Sequence, residues 1–197
     1  FAAIGSTLEV LDLHVNRLTE LASNSFTALP IIKVIDLSRN PGVIIPSNAF
    51  DSQGELHDIV LNDNGMRNVD AGWFRQTTNL TFVSLTGNNI RRLPDDVFAN
   101  LRSLRTLVLR RNNIENLSVY HFGWNSRNLT DLIVDYNRVN AFDIRIFDEM
   151  QQLSNIYLRG NVCSNSNFVN VQNNRDSVRN SLMTCFENYG IDEPDQA

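Results

Sequence analysis

The chain contains few of the residues on which several classes of functional site depend. Its 197 residues include two cysteines, three histidines, five prolines and nine glycines. So few cysteines and histidines leave little material for a zinc site, and so few prolines and glycines exclude a collagen-like or linker-rich chain. No apolar stretch approaches the ~20 residues that cross a bilayer, and the net charge of -5 disfavours phosphate recognition by clustered Lys and Arg. We therefore expect no nucleic-acid partner and no membrane insertion within this chain.

Sequence motifs of the common enzyme classes are also absent. The chain has no G-x-S-x-G, no Gly-rich phosphate loop and no H-E-x-x-H. Its histidines (His14, His57 and His121) fall at three different phases of the repeat described next, which predicts that they lie on different faces. We therefore expect no catalytic residues, no bound metal and no cofactor, and the chain is not predicted to be an enzyme.

What the sequence does contain is a repeat with a period of 24 residues. The pattern L-x-x-L-x-L-x-x-N-x-L-x-x-L-x-x-x-x-F starts at Leu8, and one step in the chain is 25 residues long. The asparagines are Asn16, Asn40, Asn64, Asn88, Asn112, Asn137 and Asn161, and the phenylalanines are Phe26, Phe50, Phe74, Phe98, Phe122 and Phe147. A unit of this size cannot bury its own apolar residues, so neighbouring units must stack to share one core.

Each column of residues that recurs in the repeat has a structural role. The L-x-L segment alternates apolar and polar residues, as a half-buried strand does. The asparagine amide carries two donors and a carbonyl, which predicts that it satisfies backbone groups where the strand turns. The phenylalanines are predicted to pack as a buried spine on the convex side. The residues of all these columns are therefore structural, and none of them is a functional site.

The pattern resembles the 24-residue leucine-rich repeats of extracellular proteins over residues 1–162. That resemblance implies an α/β solenoid, a horseshoe with parallel strands on its concave face and a mostly irregular or short-helical convex side. About seven strands are expected, after a truncated repeat at residues 1–7. The chain is similar in this respect to Toll-like receptor ectodomains and to the leucine-rich immune proteins of insects.

The C-terminal end carries the features of a cap. Residues 163–186 resemble the C-terminal cysteine cap of extracellular leucine-rich repeat proteins, although such caps often carry four cysteines. Because no histidine lies nearby, Cys163 and Cys185 are predicted to form a disulfide instead of a metal site or a nucleophile. Val178, Leu182 and Cys185 are spaced as on one face of a short helix. Residues 187–197 are expected to form an exposed acidic tail.

Two features of the sequence leave alternatives open. Phe1 lies seven residues before Leu8, which fits the spine residue of an earlier repeat in a longer array, or a natural N-terminus with a degenerate cap. Trp124 lies in the loop that holds the extra residue, between Phe122 and Leu129. It is expected either to fill the enlarged convex side or to be an exposed anchor.

Three N-x-[ST] sequons start at Asn79, Asn116 and Asn128. In each of them a leucine at a buried repeat position follows the asparagine, so the asparagine is expected to point outward. Together with the cysteine cap, these glycosylation sites favour an extracellular protein, either secreted or a cell-surface ectodomain.

The outward positions of the later strands combine aromatic and aliphatic residues with arginines, which is typical of interface hot spots. These candidate partner-binding residues are Phe82, Val108, Arg110, Arg111, Ile133, Asp135, Tyr136, Tyr157 and Arg159. A purely structural explanation stays open at this point. Strand propensity alone favours such residues, and Arg110 and Arg111 can pair with Asp131 and Asp135 on the neighbouring strand.

The sequence therefore predicts an extracellular recognition module that binds a protein, or alternatively a glycan, on its concave face. By resemblance it is part of a receptor ectodomain or a secreted protein of innate immunity. The alternative is a structural or adhesive protein of the matrix or cell surface, in which the array is a spacer or a homodimer surface.

Overall fold

The repeats form one parallel sheet with one strand from each repeat. The computed structural model describes residues 5–23 and 25–192. In chain order its strands are β1 (Val10–Asp12), β2 (Val34–Asp36), β3 (Asp58–Val60), β4 (Phe82–Ser84), β5 (Thr106–Val108), β6 (Asn116–Leu117), β7 (Asp131–Ile133), β8 (Ala141–Phe142), β9 (Asn155–Tyr157) and β10 (Asn167–Phe168). Strands β1 to β5, β7 and β9 follow one another in the sheet, all parallel. The predicted leucine-rich repeat horseshoe is confirmed.

The pairing register keeps equivalent repeat positions side by side. Leu11 pairs with Ile35, Leu107 with Leu132, and the same rule holds along the whole sheet. The central residue of each of these strands is buried in the core. Because side chains alternate along a strand, the residues on either side of it face the concave surface. The register therefore decides which outward side chains become neighbours.

The last strand, β10, was not predicted, and it runs in the opposite direction to the other strands of the sheet. It pairs antiparallel with β9. The polar segment that leads into it supplies partners for amides that have no following repeat. The backbone N–H of Arg159 donates to Asn167 Oδ1 (3.0 Å), and that of Gly160 donates to Asn165 Oδ1 (2.8 Å). Side chains thus replace the carbonyl groups of a missing neighbour.

The convex side is built from short pieces, as expected. Strands β6 and β8 pair in parallel, and α1 (Arg145–Glu149) follows β8. Four 3-10 helices occur in the described ranges, at Ala71–Phe74, Val119–His121, Gly123–Asn128 and Val171–Asn173. The third of these lies in the segment that holds the extra residue, at the end of the fifth repeat. The alternatives for Trp124 concern a side chain outside the described part of the structure, and Phe1 also lies outside it.

The asparagine column closes the turn after each strand, as predicted. Asn88 Nδ2 donates to the carbonyl oxygens of Leu85 and, in the preceding repeat, Leu61, both at 2.9 Å. Its Oδ1 accepts the backbone N–H groups of Asn64 (3.1 Å) and Met66 (3.0 Å). Equivalent bonds to the preceding repeat are made by Asn40, Asn64, Asn112, Asn137 and Asn161. We refer to this array as the asparagine ladder.

The predicted phenylalanine spine is confirmed and extends into the C-terminal cap. The rings of Phe74 and Phe98 lie 5.7 Å apart between centroids, and those of Phe98 and Phe122 lie 5.8 Å apart. At the end of the array the Phe147 ring contacts Phe186 at 5.9 Å. Because aromatic rings bury large areas and attract one another at these distances, the spine holds the convex side together.

The cap is helical over most of its length. Helices α2 (Arg175–Ser181) and α3 (Met183–Asp192) replace the single short helix that the sequence predicts, and Leu182 separates them. Val178, Leu182 and Cys185 are buried, in agreement with their helical spacing. They cover the apolar end of the last repeat, which would otherwise face water.

A disulfide joins Cys163 to Cys185, as predicted, with 5.1 Å between the two Cα atoms. The expected acidic tail needs correction at its start. Helix α3 continues to Asp192, so residues 187–192 belong to the helical cap, and residues 193–197 lie outside the described residues. Across the described ranges, no helix has the length and apolarity that a bilayer crossing requires.

The asparagine ladder predicts a large effect of replacing Asn88 with alanine. The change leaves buried carbonyl and N–H groups of two repeats without partners, and we expect it to lower the free energy of unfolding by about 3 kcal/mol. Urea denaturation followed by circular dichroism measures this. The matched control is Asn89→Ala, because Asn89 is exposed and contributes its backbone N–H to Met66 O (2.7 Å), which alanine retains. Equal urea midpoints for the two variants would contradict the proposed role of the ladder.

Candidate functional site

The candidate partner-binding residues lie at the carboxyl ends of three neighbouring strands. Val108 of β5 pairs with Ile133 of β7, and Ile133 pairs with Tyr157 of β9. Beyond the strands the same alignment continues, because the Arg111 N–H donates to Asp135 O (2.9 Å) and the Tyr136 N–H to Arg159 O (2.8 Å). Positions that are about 24 residues apart in the sequence are therefore adjacent on the surface.

Six of the nine predicted residues line one pocket of about 340 Å³. The lining residues, which define what we refer to as the concave pocket, are Arg110, Ile133, Asp135, Tyr136, Tyr157, Arg159 and Asn167. Val108 lies one strand away, beside Ile133, and Phe82 lies on β4 in a different row of the sheet. Arg111 is exposed and is not among the lining residues. The structure therefore groups part of the predicted surface into a pocket and leaves the rest beside it.

The repeat pattern gave no signal for Asn167. This residue lies in β10, beyond the last repeat, and reaches the concave pocket only because β10 runs antiparallel to β9. An asparagine in a polar segment after the array has many possible roles. Only the hydrogen bond from the backbone N–H of Arg159 reveals how it is placed.

The position before each ladder asparagine has a left-handed backbone. Positive φ angles occur at Val15, Arg39, Asp63, Gly87, Arg111, Tyr136 and Gly160. The last of these is Gly160, at which an added Cβ atom would lie 2.7 Å from Cδ1 of Tyr136. Glycine at position 160 therefore meets the backbone requirement and also leaves room for the aromatic ring of the preceding repeat.

Arg110 lies over the ring of Tyr136, with 5.2 Å from Cζ to the ring centroid. This cation–π contact and Gly160 together fix the aromatic ring at the edge of the concave pocket. The purely structural explanation offered strand propensity and, as one further element, ion pairs from Arg110 and Arg111 to Asp131 and Asp135. Among the described residues no salt bridge joins these groups.

Asp135 is less accessible than its outward position in the repeat predicts. Asp135 lies on the side of the sheet that the sequence predicts. It is only 7% exposed, however, because the neighbouring residues of the pocket cover it. Burial raises the pKa of its carboxyl, while the charges of Arg110 and Arg159 act to lower it. Its Oδ1 and the Nε of Arg110 are both buried without a hydrogen-bond partner. The concave pocket thus contains an unsatisfied acceptor and an unsatisfied donor.

Two of the three sequons have the accessibility expected of glycosylation sites. Asn79 and Asn128 are exposed, and each donates its side-chain amide to a carbonyl of the preceding repeat, Gly54 O and Arg102 O respectively, at 2.8 Å. Asn116 differs from the expectation, because it is half-buried and belongs to β6 of the convex sheet. The extra convex strand explains the difference.

A cluster on the convex side contains a serine, a histidine and an aspartate, the residue types of many hydrolases. The geometry is not that of a catalytic triad, because His121 Nδ1 accepts the backbone N–H of Ser118 (3.2 Å) and not its hydroxyl. The Ser118 hydroxyl instead contacts Asp143 Oδ2 (3.4 Å) and accepts the hydroxyl of Tyr189 (2.9 Å). The cluster therefore caps the 3-10 helix at Val119–His121 and connects it to helix α3.

Burial determines the protonation of this cluster. It lowers the pKa of His121 to about 4, although the carboxylates of Asp95 and Asp143 act to raise it. Burial alone would raise the pKa of Asp143, but hydrogen bonds from Arg145 and from the Val119 backbone hold it below its ordinary value. At neutral pH the histidine is therefore uncharged and accepts a hydrogen bond, which is the role that glutamate or glutamine has in a capping box.

Known proteins share this architecture. The leucine rich repeat family model matches residues 6–56 and 54–114, which together make up more than half of the chain. None of the curated proteins matches the chain. Among solved structures, a chain of the TLR13–ssRNA13 complex is similar with 28% identity and a TM-score of 0.76, over 81% of this chain and 22% of that one.

Two further solved structures share the fold at lower identity. A chain of the LRIM1/APL1C complex is 21% identical with a TM-score of 0.66, over 73% of this chain and 26% of that one. An LRR protein of Leptospira interrogans is 23% identical with a TM-score of 0.71, over 91% of this chain and 48% of that one. The chain spans less than half the length of each of these three proteins.

The buried histidine predicts a loss of stability in mild acid. The pKa of His121 is about 4 in the folded protein and 6.5 ordinarily, so the unfolded chain binds the proton first as the pH falls. The stabilisation is therefore present above pH 6.5 and decreases toward pH 4, by about 2 kcal/mol between about pH 7.5 and about pH 5. In His121→Gln the amide oxygen can accept the same backbone N–H but does not titrate, so its urea midpoint should change less over this interval. Parallel pH profiles for the two proteins would contradict the assignment.

Proposed function

The chain belongs to the leucine-rich repeat family, and on that premise we propose that it is an extracellular recognition module that binds a protein partner. The proposed binding surface is the concave face of its C-terminal half, formed by Phe82, Val108, Arg110, Arg111, Ile133, Asp135, Tyr136, Tyr157 and Arg159. The observation that carries the proposal is the concave pocket, which six of these residues line.

The chemistry of the concave pocket supports a binding role. Tyrosine and arginine dominate interface hot spots because they combine large contact areas with directional hydrogen bonds. The pocket buries Asp135 Oδ1 and Arg110 Nε without partners. Unsatisfied buried polar atoms destabilise a fold, and an occupant of the pocket that satisfied these two would remove that penalty.

A protein partner is favoured over a nucleic acid. One similar structure is an LRIM1/APL1C complex, and another is the TLR13–ssRNA13 complex. The net charge of -5 in this chain disfavours binding to a phosphate backbone. Its resemblance to Toll-like receptor ectodomains and to the leucine-rich immune proteins of insects supports the proposal that the module is part of a receptor ectodomain or of a secreted protein of innate immunity.

The proposed extracellular location rests on the cap and on the sequons. Disulfides such as Cys163–Cys185 persist in oxidising compartments and are rare in the cytosol. Asn79 and Asn128 display exposed side chains, as acceptors of N-linked glycans do. These observations support the same compartment independently.

The proposed surface predicts loss of partner capture when three of its residues are truncated together. We expect Arg110→Ala, Tyr136→Ala and Tyr157→Ala in one variant to weaken capture of the partner by at least about tenfold, since each residue type is common among hot spots. The measurement is a quantitative pull-down from extracellular extract. The matched control replaces His14, Arg39 and Asp63, which are exposed and lie at or just after the ends of earlier strands. Unchanged capture by the first variant would overturn the proposed surface.

Sedimentation of the purified chain over a range of concentrations distinguishes this function from adhesion between copies. A recognition module for another protein should remain monomeric, whereas a homophilic adhesive surface should dimerise. Dimerisation that the triple variant abolishes would assign the same residues to the adhesive alternative.

The location predicts glycans on protein purified from its native source. Peptide mass spectrometry should find Asn79 and Asn128 modified, and Asn116 modified less because it is half-buried in β6. Alkylation of the unreduced protein should leave Cys163 and Cys185 unlabelled. Unmodified sequons together with two free thiols would contradict an extracellular location.

A further inference from the structure

The concave pocket contains two buried groups of opposite character that the protein itself leaves unsatisfied. Oδ1 of Asp135 can only accept a hydrogen bond when ionised, and Nε of Arg110 can only donate one. Asp135 is more than nine-tenths buried and lines the pocket. An occupant that contacts these two side chains therefore meets a carboxylate that accepts and a guanidinium that donates.

The charges around the pocket limit what that occupant is. Asp135 repels an anion that Arg110 and Arg159 attract, and the two arginines repel a cation that Asp135 attracts. An uncharged polar ligand is repelled by none of the three. A hydroxyl group is the simplest uncharged group that satisfies both needs, since its O–H donates to a carboxylate and its oxygen accepts from a guanidinium.

The number of polar groups in the pocket favours several hydroxyls over a single amide. Asp135, Arg110, Arg159, Asn167 and two tyrosines all border the same space of about 340 Å³. One carboxamide has two donors and one carbonyl oxygen, which cannot satisfy so many groups. The Tyr157 ring and Ile133 add apolar surface, against which the C–H face of a sugar ring can pack.

We infer that the concave pocket binds a neutral saccharide unit, with Asp135 accepting a ligand hydroxyl and Arg110 donating to a ligand oxygen. This inference rests on the proposed recognition function and specifies the chemistry of its pocket. The sugar is either part of a glycan on the protein partner or a free oligosaccharide, since both sources present the same hydroxyls.

Saturation-transfer NMR with single probes tests the inference. The probes are the methyl glycosides of neutral hexoses and of N-acetylhexosamines, with methyl glucuronide, acetamide and glycine as comparison ligands. We expect at least one neutral glycoside to bind with a Kd on the order of 1 mM, which is ordinary for one small polar pocket. The charged glucuronide should bind more weakly than the matching neutral sugar.

Asp135→Asn should weaken glycoside binding at least about tenfold, because the amide replaces a charged acceptor with a neutral group. Its melting temperature should be unchanged or higher, because a buried unpartnered carboxylate is removed. The control Asp58→Asn changes a half-buried carboxylate on β3 outside the pocket and should bind as the unmodified chain does. A Tyr157→Phe variant, which keeps the ring, should lose less affinity than Tyr157→Ala.

Two results would overturn the inference. One is the absence of binding by every neutral glycoside at about 10 mM, whether or not acetamide or glycine binds. The other is glycoside binding that Asp135→Asn leaves intact. If glycosides fail while the triple alanine variant still abolishes protein capture, the saccharide inference fails and the proposed function stands. If glycosides bind through Asp135 while the triple alanine variant captures protein as the unmodified chain does, the proposed function fails instead.

A neutral-oligosaccharide array, probed with the unmodified chain and with Asp135→Asn, separates the two sources of sugar. Enzymatic removal of glycans from the captured partner should abolish capture if the sugar belongs to that partner. If capture persists while the array is positive, the ligand is a free oligosaccharide.

Discussion

The asparagine ladder is the interaction on which the rest of the structure depends. Each ladder asparagine bonds to the repeat before it, and all of them except Asn64 also bond to a carbonyl of their own repeat, so every turn is fixed relative to its neighbour. The residue just before it takes a left-handed backbone in every repeat. This conformation is unfavourable for most side chains, and it persists because the surrounding hydrogen bonds determine it. The ladder therefore sets both the register of the sheet and the direction of the side chains at its edge.

This constraint explains why the concave pocket forms where it does. In the inner repeats, the amides just after a strand donate to the carbonyls of the next strand, as Arg111 and Tyr136 do. The last strand has no such neighbour, and the side chains of Asn165 and Asn167 take its place. A repeating sheet gives a uniform groove. Strand β10 interrupts the repeat and places Asn167 at the end of that groove. The loss of repeat symmetry is what closes the groove into a pocket.

The sequence predicts the features that recur and misses those that occur once. The strands, the ladder and the spine follow from residues such as Asn88 and Phe98, because Asn88 has six equivalents and Phe98 has five that indicate their roles. Strand β10, the break at Leu182 and the helical residues 187–192 have no equivalents. For the site, the repeat period predicts the side of the strand on which Asp135 lies. It cannot predict that Arg110 turns toward Tyr136, because that contact depends on two side chains of adjacent repeats and on Gly160.

The convex cluster around Asp143 and the concave pocket differ in how their polar groups are paired. In the convex cluster Asp143 binds Arg145 and the Val119 amide, and His121 completes a capping box. On the concave side Asp135 and Arg110 retain unsatisfied buried atoms. Buried polar atoms without a partner also occur away from the concave face, at Thr77 Oγ1 and at Arg179 Nε of α2. What distinguishes Asp135 and Arg110 is that both residues line one pocket, so a ligand bound there contacts both side chains.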